Sequence, residues 1–424
     1  MMGGLLKNLF FGGGLIALVL WYVFILKFCV GVGFFYEGLF LYLDKLCGGL
    51  LLLGLGVWVL MSGIYVRDCG GRFGKEVLVS GVLMVLLSVV FLVDSWLGFY
   101  VVYEGSVVPL MVAVILFGGY YERLGSVLYL LVYMVLFSVP LVVVLLVCLG
   151  EGQSLVMGEW GLLWIGGVGL LLVVMGLLVK VPIYGLHSWL PKVHVEAPTW
   201  GSVVLAAVMI KMGVYGLWRL RSEGAWCVGL GEIFWLWALL GAVVCCVLCL
   251  MGTDFKLVVA YSSVVHMGGV VWLGGFGLVS GWRGLLLVML MHGVVSGGLF
   301  IMAGSLGDLC QSRSLILLSG AIDFLSVWGM MLIVGLVLNV GFPISGNMLG
   351  ELEIVFGVCG LWGLGWILVS FLMFLGCLFN LYVVMVLSSA GIDVDSGVVS
   401  GVVLASGVLF SISVVGLVGL GLLM

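Results

Sequence analysis

The chain has 424 residues, of which 65% are hydrophobic and only 8% are charged, and its formal net charge at pH 7 is −4. Soluble globular domains contain about 45 to 50% apolar and about 25% charged residues, so this composition excludes a soluble globular domain. The small and dispersed net charge gives no basis for binding nucleic acid or an acidic ligand. The sequence therefore predicts a polytopic membrane protein.

The composition also indicates the kind of genome that encodes the chain. There are 69 glycines, but the only threonines are Thr199 and Thr253 and the only glutamines are Gln153 and Gln311. The enriched residues have codons rich in G and T, whereas the depleted residues have codons rich in A and C. This bias is typical of a strand-skewed, organellar genome.

The cysteines do not form a recognisable cofactor motif. Cys245, Cys246 and Cys249 include a C-x-x-C, but they lie in the middle of an apolar run with no second pair at the spacing of an iron–sulfur or zinc site. The closely spaced glycines lack the third glycine and the strand–turn–helix context of a nucleotide-binding turn. We therefore expect no metal and no bound redox cofactor in this chain.

In chain order, runs of about 20 largely uncharged residues, bounded by charges or by Gly- and Pro-rich stretches, predict about 13 membrane-spanning helices. The predicted spans are residues 5–28, 45–66, 76–94, 95–117, 126–149, 165–187, 199–218, 229–251, 256–276, 284–306, 314–357, 361–386 and 398–423. Together they predict an all-α protein with a single membrane domain, 1–424.

The segment 179–213 concentrates ionisable residues and prolines. Lys180 and Lys211 fall in apolar helical runs, where an ionisable side chain costs a few kcal/mol and usually marks an ion path. Pro182 and Pro191 lack a backbone N–H and clash with the preceding turn, so they predict a helix break just beyond Lys180. Broken helices at membrane depth occur where they line a watery or protein-buried cavity.

A second broken helix is predicted in the other half of the chain. The segment 314–357 is too long for one straight crossing, and Pro343, together with nearby Gly and Asn residues, interrupts it before Glu351. One broken helix in each half is typical of an inverted repeat. We therefore predict two five-helix repeats, 76–218 and 229–386, followed by a C-terminal helix, 398–423.

Glu104 is the single charged residue in the interior of its predicted span. Because no positive residue lies three or four positions away, its partner must come from another helix, and Lys180 is the natural candidate. Such a pair can act as a gate, since separating the two charges favours loss of the lysine proton. The alternative is a structural ion pair that ties two spans together.

Two histidines, His266 and His292, lie in apolar spans beside small residues. Imidazole can relay protons because it titrates near neutrality and has two exchangeable nitrogens, although a single buried histidine is more often a hydrogen-bonded core residue. The six ionisable residues at membrane depth together predict a hydrated mid-membrane row: Glu104, Lys180, Lys211, His266, His292 and Glu351. His187 and His194 lie beyond the first break and serve either the mouth of this path or the fold of the loop.

Several motifs resemble the antiporter-like proton-pumping subunits of respiratory complex I, and within that family the mitochondrial subunit 4 branch. The most diagnostic is VKVPIYGLHSWLPKVHVEAP at 179–198, followed by SVVLAAVMIKMGVYGLWRL at 202–220. Other similar runs are YEGSVVPL (103–110), YERL (121–124), TDFKLVVAYSSVVHM (253–267), MLMHGVVSGGLF (289–300) and NMLGELEIVFG (347–357).

The resemblance implies a role for each matching residue. Glu104 corresponds to the family's helix-five glutamate, Lys180 to the broken-helix lysine, Lys211 to the central lysine and Glu351 to the glutamate of the second broken helix. The chain departs from the family in three ways: we expect the first of the family's fourteen helices to be lost or unrecognisable, a double proline is reduced to Pro343, and Glu353 adds a second acid.

The resemblance also implies a function and a setting. The chain would be a proton-translocating, multi-pass subunit of the mitochondrial inner membrane, in contact with antiporter-like neighbours on both sides, supernumerary subunits and lipids. NADH, FMN, iron–sulfur clusters and ubiquinone would be handled by other subunits. Two alternatives remain at this point: a cation/proton antiporter of the related Mrp type, and a structural membrane subunit without pumping activity.

Overall fold

The computed structural model describes residues 45–67, 73–119, 121–157, 166–222, 228–276, 281–324, 326–342, 345–359 and 365–389. Four predictions lie outside these residues: the spans 5–28 and 398–423, the loss of the family's first helix, and the position of Pro343.

The described part of the chain consists of helices and the turns between them. The helices are α1 (Lys45–Arg67), α2 (Phe73–Leu92), α3 (Trp96–Gly105), α4 (Val107–Phe117), α5 (Arg123–Gly150), α6 (Gly167–Leu178), α7 (Trp189–Glu196), α8 (Thr199–Val204), α9 (Ile210–Ser222), α10 (Val228–Met251), α11 (Phe255–Phe276), α12 (Gly281–Cys310), α13 (Ala321–Phe324), α14 (Ser326–Val340), α15 (Gly346–Cys359) and α16 (Gly365–Ser388). A π-helical turn, Leu205–Met209, joins α8 to α9.

The predicted multi-pass membrane architecture is confirmed. Within the described residues, six helical stretches are long and apolar enough to cross a membrane: Gly74–Leu92, Trp96–Phe117, Arg123–Gly150, Thr199–Arg221, Gly284–Cys310 and Ile367–Ser388. Shorter apolar helices accompany them: Leu46–Trp58, Gly167–Leu178, Leu236–Met251, Phe255–Val271 and Trp328–Val340.

Two of the long helices form the centre of the bundle. The apolar part of α12 is 100% buried inside the protein and that of the α8–α9 stretch is 94% buried, whereas that of α5 is only 28% buried. The central α12 packs against α1, α8, α11, α14 and α15. Side chains on α9 and α12 are therefore shielded from lipid by surrounding helices.

The first predicted helix break is present, but one of its two prolines acts differently. Helix α6 ends at Leu178, turns follow, and α7 begins at Trp189. Pro182 lies in the turns, as predicted. The prediction that Pro191 breaks the helix is wrong, because Pro191 is the third residue of α7. An N–H in the first turn has no acceptor within the helix, so a proline there removes no intrahelical hydrogen bond.

The second break is also present. Helix α14 ends at Val340, Gly341 follows with a positive φ of 81°, and α15 begins at Gly346. The prediction that the apolar crossing begins at residue 314 is wrong, since residues 315–320 form turns and α13 has only 4 residues. The crossing begins at α14 instead.

Candidate functional site

Glu104 and Lys180 form the ion pair expected from the sequence. Glu104 Oε1, on α3, lies 3.8 Å from Lys180 Nζ in the break after α6. The Lys180 side chain is 2% exposed and that of Glu104 is 22% exposed. The lysine is therefore sealed inside the protein, whereas its partner lies closer to the edge of the bundle.

Tyr103 supports this pair in two ways that the sequence did not reveal. Lys180 Nζ lies 3.2 Å from the centre of the Tyr103 ring and donates a hydrogen bond to the Tyr103 carbonyl. The Tyr103 hydroxyl donates to the Gly176 carbonyl at 3.2 Å, and Trp189 Nε1 donates to the Val179 carbonyl at 3.0 Å. Carbonyls near the end of α6, where a helix leaves acceptors unused, are thus satisfied by two buried aromatic side chains.

Lys211 lies in the first turn of α9, directly after the π-helical turn. It is fully buried, and its Nζ donates a hydrogen bond to the carbonyl of Ala206 in that turn. Its other polar contact is with His292 Nδ1 on α12, at 3.3 Å. π-Helical turns are rare and frequently occur at functional sites. This one supplies a carbonyl that holds the lysine in the centre of the bundle.

The two predicted histidines lie side by side and connect Lys211 to Glu351. The ring centres of His266 and His292 are 5.2 Å apart. His266 Nδ1 lies 3.3 Å from Glu351 Oε1 on α15. Lys211, His292, His266 and Glu351 therefore form one continuous series of contacts, which we call the central row.

Free polar atoms remain along the central row. Nε2 of His266, Nε2 of His292 and Oε2 of Glu351 are buried and have no hydrogen-bond partner among the described residues. Buried polar groups normally find a partner in protein or in ordered water. The row can therefore accept water or protons between its members.

Asparagines surround the second break next to Glu351. Asn339 Nδ2 lies 3.4 Å from Asn380 Oδ1, and Asn347 Nδ2 donates to the Leu338 carbonyl at 3.0 Å. Asn347 and Glu351 are four residues apart and share one face of α15. From the sequence, Asn347 is recognisable only as an interruption of the helix and Asn380 is not recognisable at all, because nothing in the sequence brings these residues together.

The added acid, Glu353, faces a different neighbour from Glu351. A Cβ placed on Gly341 would lie 2.5 Å from Glu351 Oε2, whereas one placed on Gly284 of α12 would lie 3.0 Å from Glu353 Oε2. The two acids therefore face different sides of α15. Glu353 lies outside the series of contacts that defines the central row.

His187 and His194 both lie beyond the first break, but in different surroundings. His187 accepts a hydrogen bond from the Gly185 N–H at 3.1 Å, and its ring packs against those of Tyr184 and Tyr261. His194 is fully buried and stacks on Phe300 of α12 with ring centres 4.4 Å apart. Neither histidine touches the central row directly.

The Glu104–Lys180 pair and the central row are joined through helix packing and not by a hydrogen bond. A Cβ placed on Gly213, two residues after Lys211, would lie 2.6 Å from Val181 Cγ2 and 2.7 Å from the Leu177 carbonyl. Only glycine allows α9 to approach the first break so closely. Val181, which follows Lys180 in the chain, is therefore held against Gly213, which lies two residues after Lys211.

The model of one known protein family matches most of this chain. The family model described as NADH:quinone oxidoreductase/Mrp antiporter, transmembrane, matches residues 93–379, more than half of the chain. The chain belongs to this family. The matched range includes the Glu104–Lys180 pair and the whole central row.

Within this antiporter family, curated relatives are named NADH-ubiquinone oxidoreductase chain 4. The protein from Ceratitis capitata is 32% identical over 387 residues, which cover 87% of this chain and 83% of the relative. The protein from Rhipicephalus sanguineus is 32% identical over 312 residues, covering 72% and 70% respectively. The resemblance to the subunit 4 branch is thereby confirmed.

Solved structures share the fold. A chain of respiratory complex I from Thermus thermophilus superposes with a TM-score of 0.82 at 20% identity, covering 96% of this chain and 93% of that one. A chain of an archaeal membrane-bound sulfane sulfur reductase superposes with a TM-score of 0.81 at 19% identity, covering 99% and 91%. The antiporter-like fold predicted from the sequence is confirmed, and it occurs in membrane complexes with different redox substrates.

Proposed function

We propose that this chain translocates protons in the membrane arm of respiratory complex I, the NADH:ubiquinone oxidoreductase. The observation that carries this proposal is the central row, in which four ionisable side chains contact one another inside the bundle. Ionisable groups at membrane depth are costly and mark ion pathways. Membership of the chain 4 family indicates which complex the row serves.

The Glu104–Lys180 pair acts as the gate of the path. While the two groups are in contact, the carboxylate stabilises the protonated lysine. When they separate, the buried ammonium loses its partner and desolvation favours release of its proton. Because Glu104 is the more exposed of the two, a neighbouring subunit can influence it without entering the core.

The central row carries the proton onward. Each contact joins groups that can exchange a proton: the Lys211 amine with the His292 ring, and the His266 ring with the Glu351 carboxylate. The two rings lie one beside the other, and each has an unpartnered Nε2 that can take up or pass on a proton, directly or through water. Glu351 releases the proton at the second break.

We infer the cellular location and the partners of the chain from its relatives and from its membrane-spanning helices. The chain lies in the mitochondrial inner membrane between antiporter-like neighbours, with supernumerary subunits and lipids around it. The complex uses NADH, FMN, iron–sulfur clusters and ubiquinone, and we place all of these in other subunits. Cys245, Cys246 and Cys249 are buried in α10 and serve as packing residues.

The Mrp-type cation/proton antiporter is not favoured as an alternative. The family model covers both activities, but the curated relatives named above are chain 4 of the NADH-ubiquinone oxidoreductase. Sodium-dependent transport by this chain in the absence of NADH oxidation would favour the antiporter. The other alternative, a structural subunit that does not pump, is not favoured either, because Nε2 of His266 and Nε2 of His292 have no hydrogen-bond partner among the described residues.

The decisive experiment replaces Lys211 of the central row or Glu104 of the gate and measures the number of protons translocated. Lys211→Met and Glu104→Gln are each expected to abolish or sharply lower the number of protons translocated by this subunit per NADH oxidised, while the complex still assembles. The reason is that methionine cannot hold the transferred proton, and glutamine has no charge with which to stabilise the protonated Lys180. Assembly is checked on a native gel stained for NADH oxidation, and translocation is measured in sealed vesicles.

The matched control is Lys75→Met, since Lys75 is exposed at the start of α2 and is not part of the row. It is expected to leave the proton count unchanged. A normal count in assembled Lys211→Met and Glu104→Gln complexes would refute the proposal.

A further inference from the structure

The Lys180 ammonium lies closer to Tyr103 than to Glu104. Its Nζ is 3.2 Å from the centre of the Tyr103 ring and donates a hydrogen bond to the Tyr103 carbonyl, whereas Glu104 Oε1 is 3.8 Å away. A charge-assisted hydrogen bond between an ammonium and a carboxylate spans about 2.7 to 2.9 Å. The Glu104–Lys180 contact is therefore an ion pair without a hydrogen bond, and Tyr103 makes the closer contacts with the charge.

Glu104 has an acceptor to spare at this distance. Its Oε1 is buried and has no hydrogen-bond partner among the described residues. An ammonium has three N–H donors and a carboxylate has only acceptors, so the two groups would form a hydrogen bond if they were closer. In this structure Tyr103 holds the ammonium, while Glu104 stays in electrostatic contact with it.

The Tyr103 ring is fixed by its own contacts. It is 1% exposed, and its hydroxyl donates to the Gly176 carbonyl at 3.2 Å. The ring of Phe99, one turn earlier on α3, packs against it with ring centres 5.3 Å apart. The ring is therefore already in place to receive a cation and needs no rearrangement.

The Tyr103 carbonyl is available because α3 ends at Gly105. The last carbonyls of a helix have no N–H partner within the helix, and this end of the helix carries a partial negative charge. The Tyr103 carbonyl accepts a hydrogen bond from Lys180 Nζ and another from Ser106 Oγ, the latter at 2.8 Å. One residue thus offers the ammonium both an aromatic face and a carbonyl oxygen.

A neutral site of this kind differs from a carboxylate in one respect. An aromatic face attracts a desolvated ammonium through the quadrupole of the ring, but neither the ring face nor the carbonyl takes up the proton. A carboxylate also stabilises the ammonium, but it can accept the proton itself. Tyr103 can therefore keep the proton on Lys180 while Glu104 is turned away.

We propose that Tyr103 is a holding site for the charge of Lys180. Its ring face and carbonyl keep the proton on the lysine after Glu104 separates, and the proton leaves only when Nζ also moves off the ring. This inference rests on the proposed function of the Glu104–Lys180 pair as the gate of the path. It follows that opening the gate does not by itself return the proton to the side from which it came. The alternative is that Tyr103 only packs between α3 and α6.

The test measures the protons translocated per NADH oxidised by the assembled complex in sealed vesicles, as a function of pH. Tyr103→Leu removes the ring but keeps the main-chain carbonyl, so Lys180 is expected to hold its proton about tenfold less well. The alkaline side of the pH profile is therefore expected to shift by about one unit to lower pH. On that side, lowering the pH by this amount is expected to restore the wild-type proton count.

Three further variants separate the ring from the rest of the side chain. Tyr103→Phe keeps the ring and loses the hydrogen bond to Gly176, so its profile is expected to coincide with that of the wild type. Tyr103→Met fills the space with a flexible side chain and is expected to shift like Tyr103→Leu, so the test does not depend on assembly of the leucine variant. Phe91→Leu is the matched control, since Phe91 is another buried aromatic residue, whose ring packs against Tyr215 at 5.4 Å, and no shift is expected.

The other titratable groups that face the first break are the same in all of these complexes, so they do not cause a shift between variants. They come from three helices and from the break itself: Glu104 and Tyr100 on α3, Tyr133 on α5, Lys211 on α9, and His187. Tyr103→Phe removes the phenol group as Tyr103→Leu does, and thereby controls for titration of the hydroxyl.

Each outcome decides. An unshifted profile for assembled Tyr103→Leu or Tyr103→Met overturns the holding site. So does an equal shift in Tyr103→Phe or Phe91→Leu, or a loss of pumping in Tyr103→Leu that lower pH does not restore, because the hydroxyl or the packing would then be responsible. Failure of the proposed function is seen separately, because Lys211→Met would then keep its normal proton count at every pH.

Discussion

Lys180 and Lys211 are both fully buried, but different neighbours stabilise their charges. Lys180 has a carboxylate at 3.8 Å, an aromatic ring beneath it and the C-terminal end of α6, whose dipole favours a positive charge. Lys211 has a carbonyl and an imidazole, and no carboxylate within ion-pair distance among the described residues. Lys180 is therefore suited to hold a proton under the control of Glu104, and Lys211 to hand one on.

This difference gives a test that separates proton transfer from ion pairing at Lys180. Lys180→Arg keeps the positive charge beside Glu104, but a guanidinium does not lose its proton in proteins. We expect the Lys180→Arg complex to assemble and to lose this subunit's share of the protons translocated per NADH. Lys75→Arg is the matched control. Full pumping by assembled Lys180→Arg would mean that the pair is only structural.

The sequence predicted some of these contacts and not others, for a physical reason. Glu104 could be matched to Lys180 because each is an isolated charge in an apolar run and a buried charge requires a partner. Tyr103 could not be identified, because an aromatic residue in a membrane helix usually serves packing alone. His266 and Glu351 were placed in one row, but which atoms touch depends on the packing of α11 against α15.

At the scale of helices and breaks, each interruption contains a glycine with a positive φ, and in the first it is Gly185, at 95°. The first contains Pro182, and α7 restarts with Pro191 in its first turn. The second contains Gly341 with a φ of 81°, a conformation that favours glycine. The π-helical turn before Lys211 had no sequence signal at all, since its residues, Leu205–Met209, are ordinary apolar helix formers.

Gly341→Ala tests whether the second break positions Glu351. A methyl group there adds the cost of a left-handed backbone, of order 1 kcal/mol, and its Cβ would lie 2.5 Å from Glu351 Oε2. We expect Glu351 to move away from His266, with lowered translocation and a lower temperature of dissociation of the complex. Gly376→Ala in α16 is the control, because nothing lies within 4 Å of the added methyl group. Equal behaviour of the two variants would contradict this role of Gly341.

Across the described residues of the molecule, the sequence predicted most of the membrane-spanning helices but not which of them lie at the centre. Lipid tails are as apolar as leucine, so hydropathy does not distinguish a helix that faces lipid from one that faces protein. Indeed α5, which is 28% buried, is more apolar than the central α12, which is 100% buried. Few polar residues mark the centre of the bundle. Two of them, Lys211 and His292, belong to the central row.

If a single proton path crosses the whole molecule, it predicts how substitutions at its two ends affect the translocation rate when they are combined. Glu104→Asp and Glu351→Asp each shorten a carboxylate at opposite ends of the path, and each is expected to slow translocation by about tenfold. If the gate at Glu104 and the release at Glu351 act in series on one path, one slow step already limits the flow, so the double variant is expected to be about as slow as either single variant. Independent effects would multiply to about 100-fold.

Two separate paths would instead leave each single variant with a large part of the normal rate. Translocation rates of the four complexes, measured in the same vesicles, distinguish these cases. The tight packing of α9 against the first break at Gly213 favours the series.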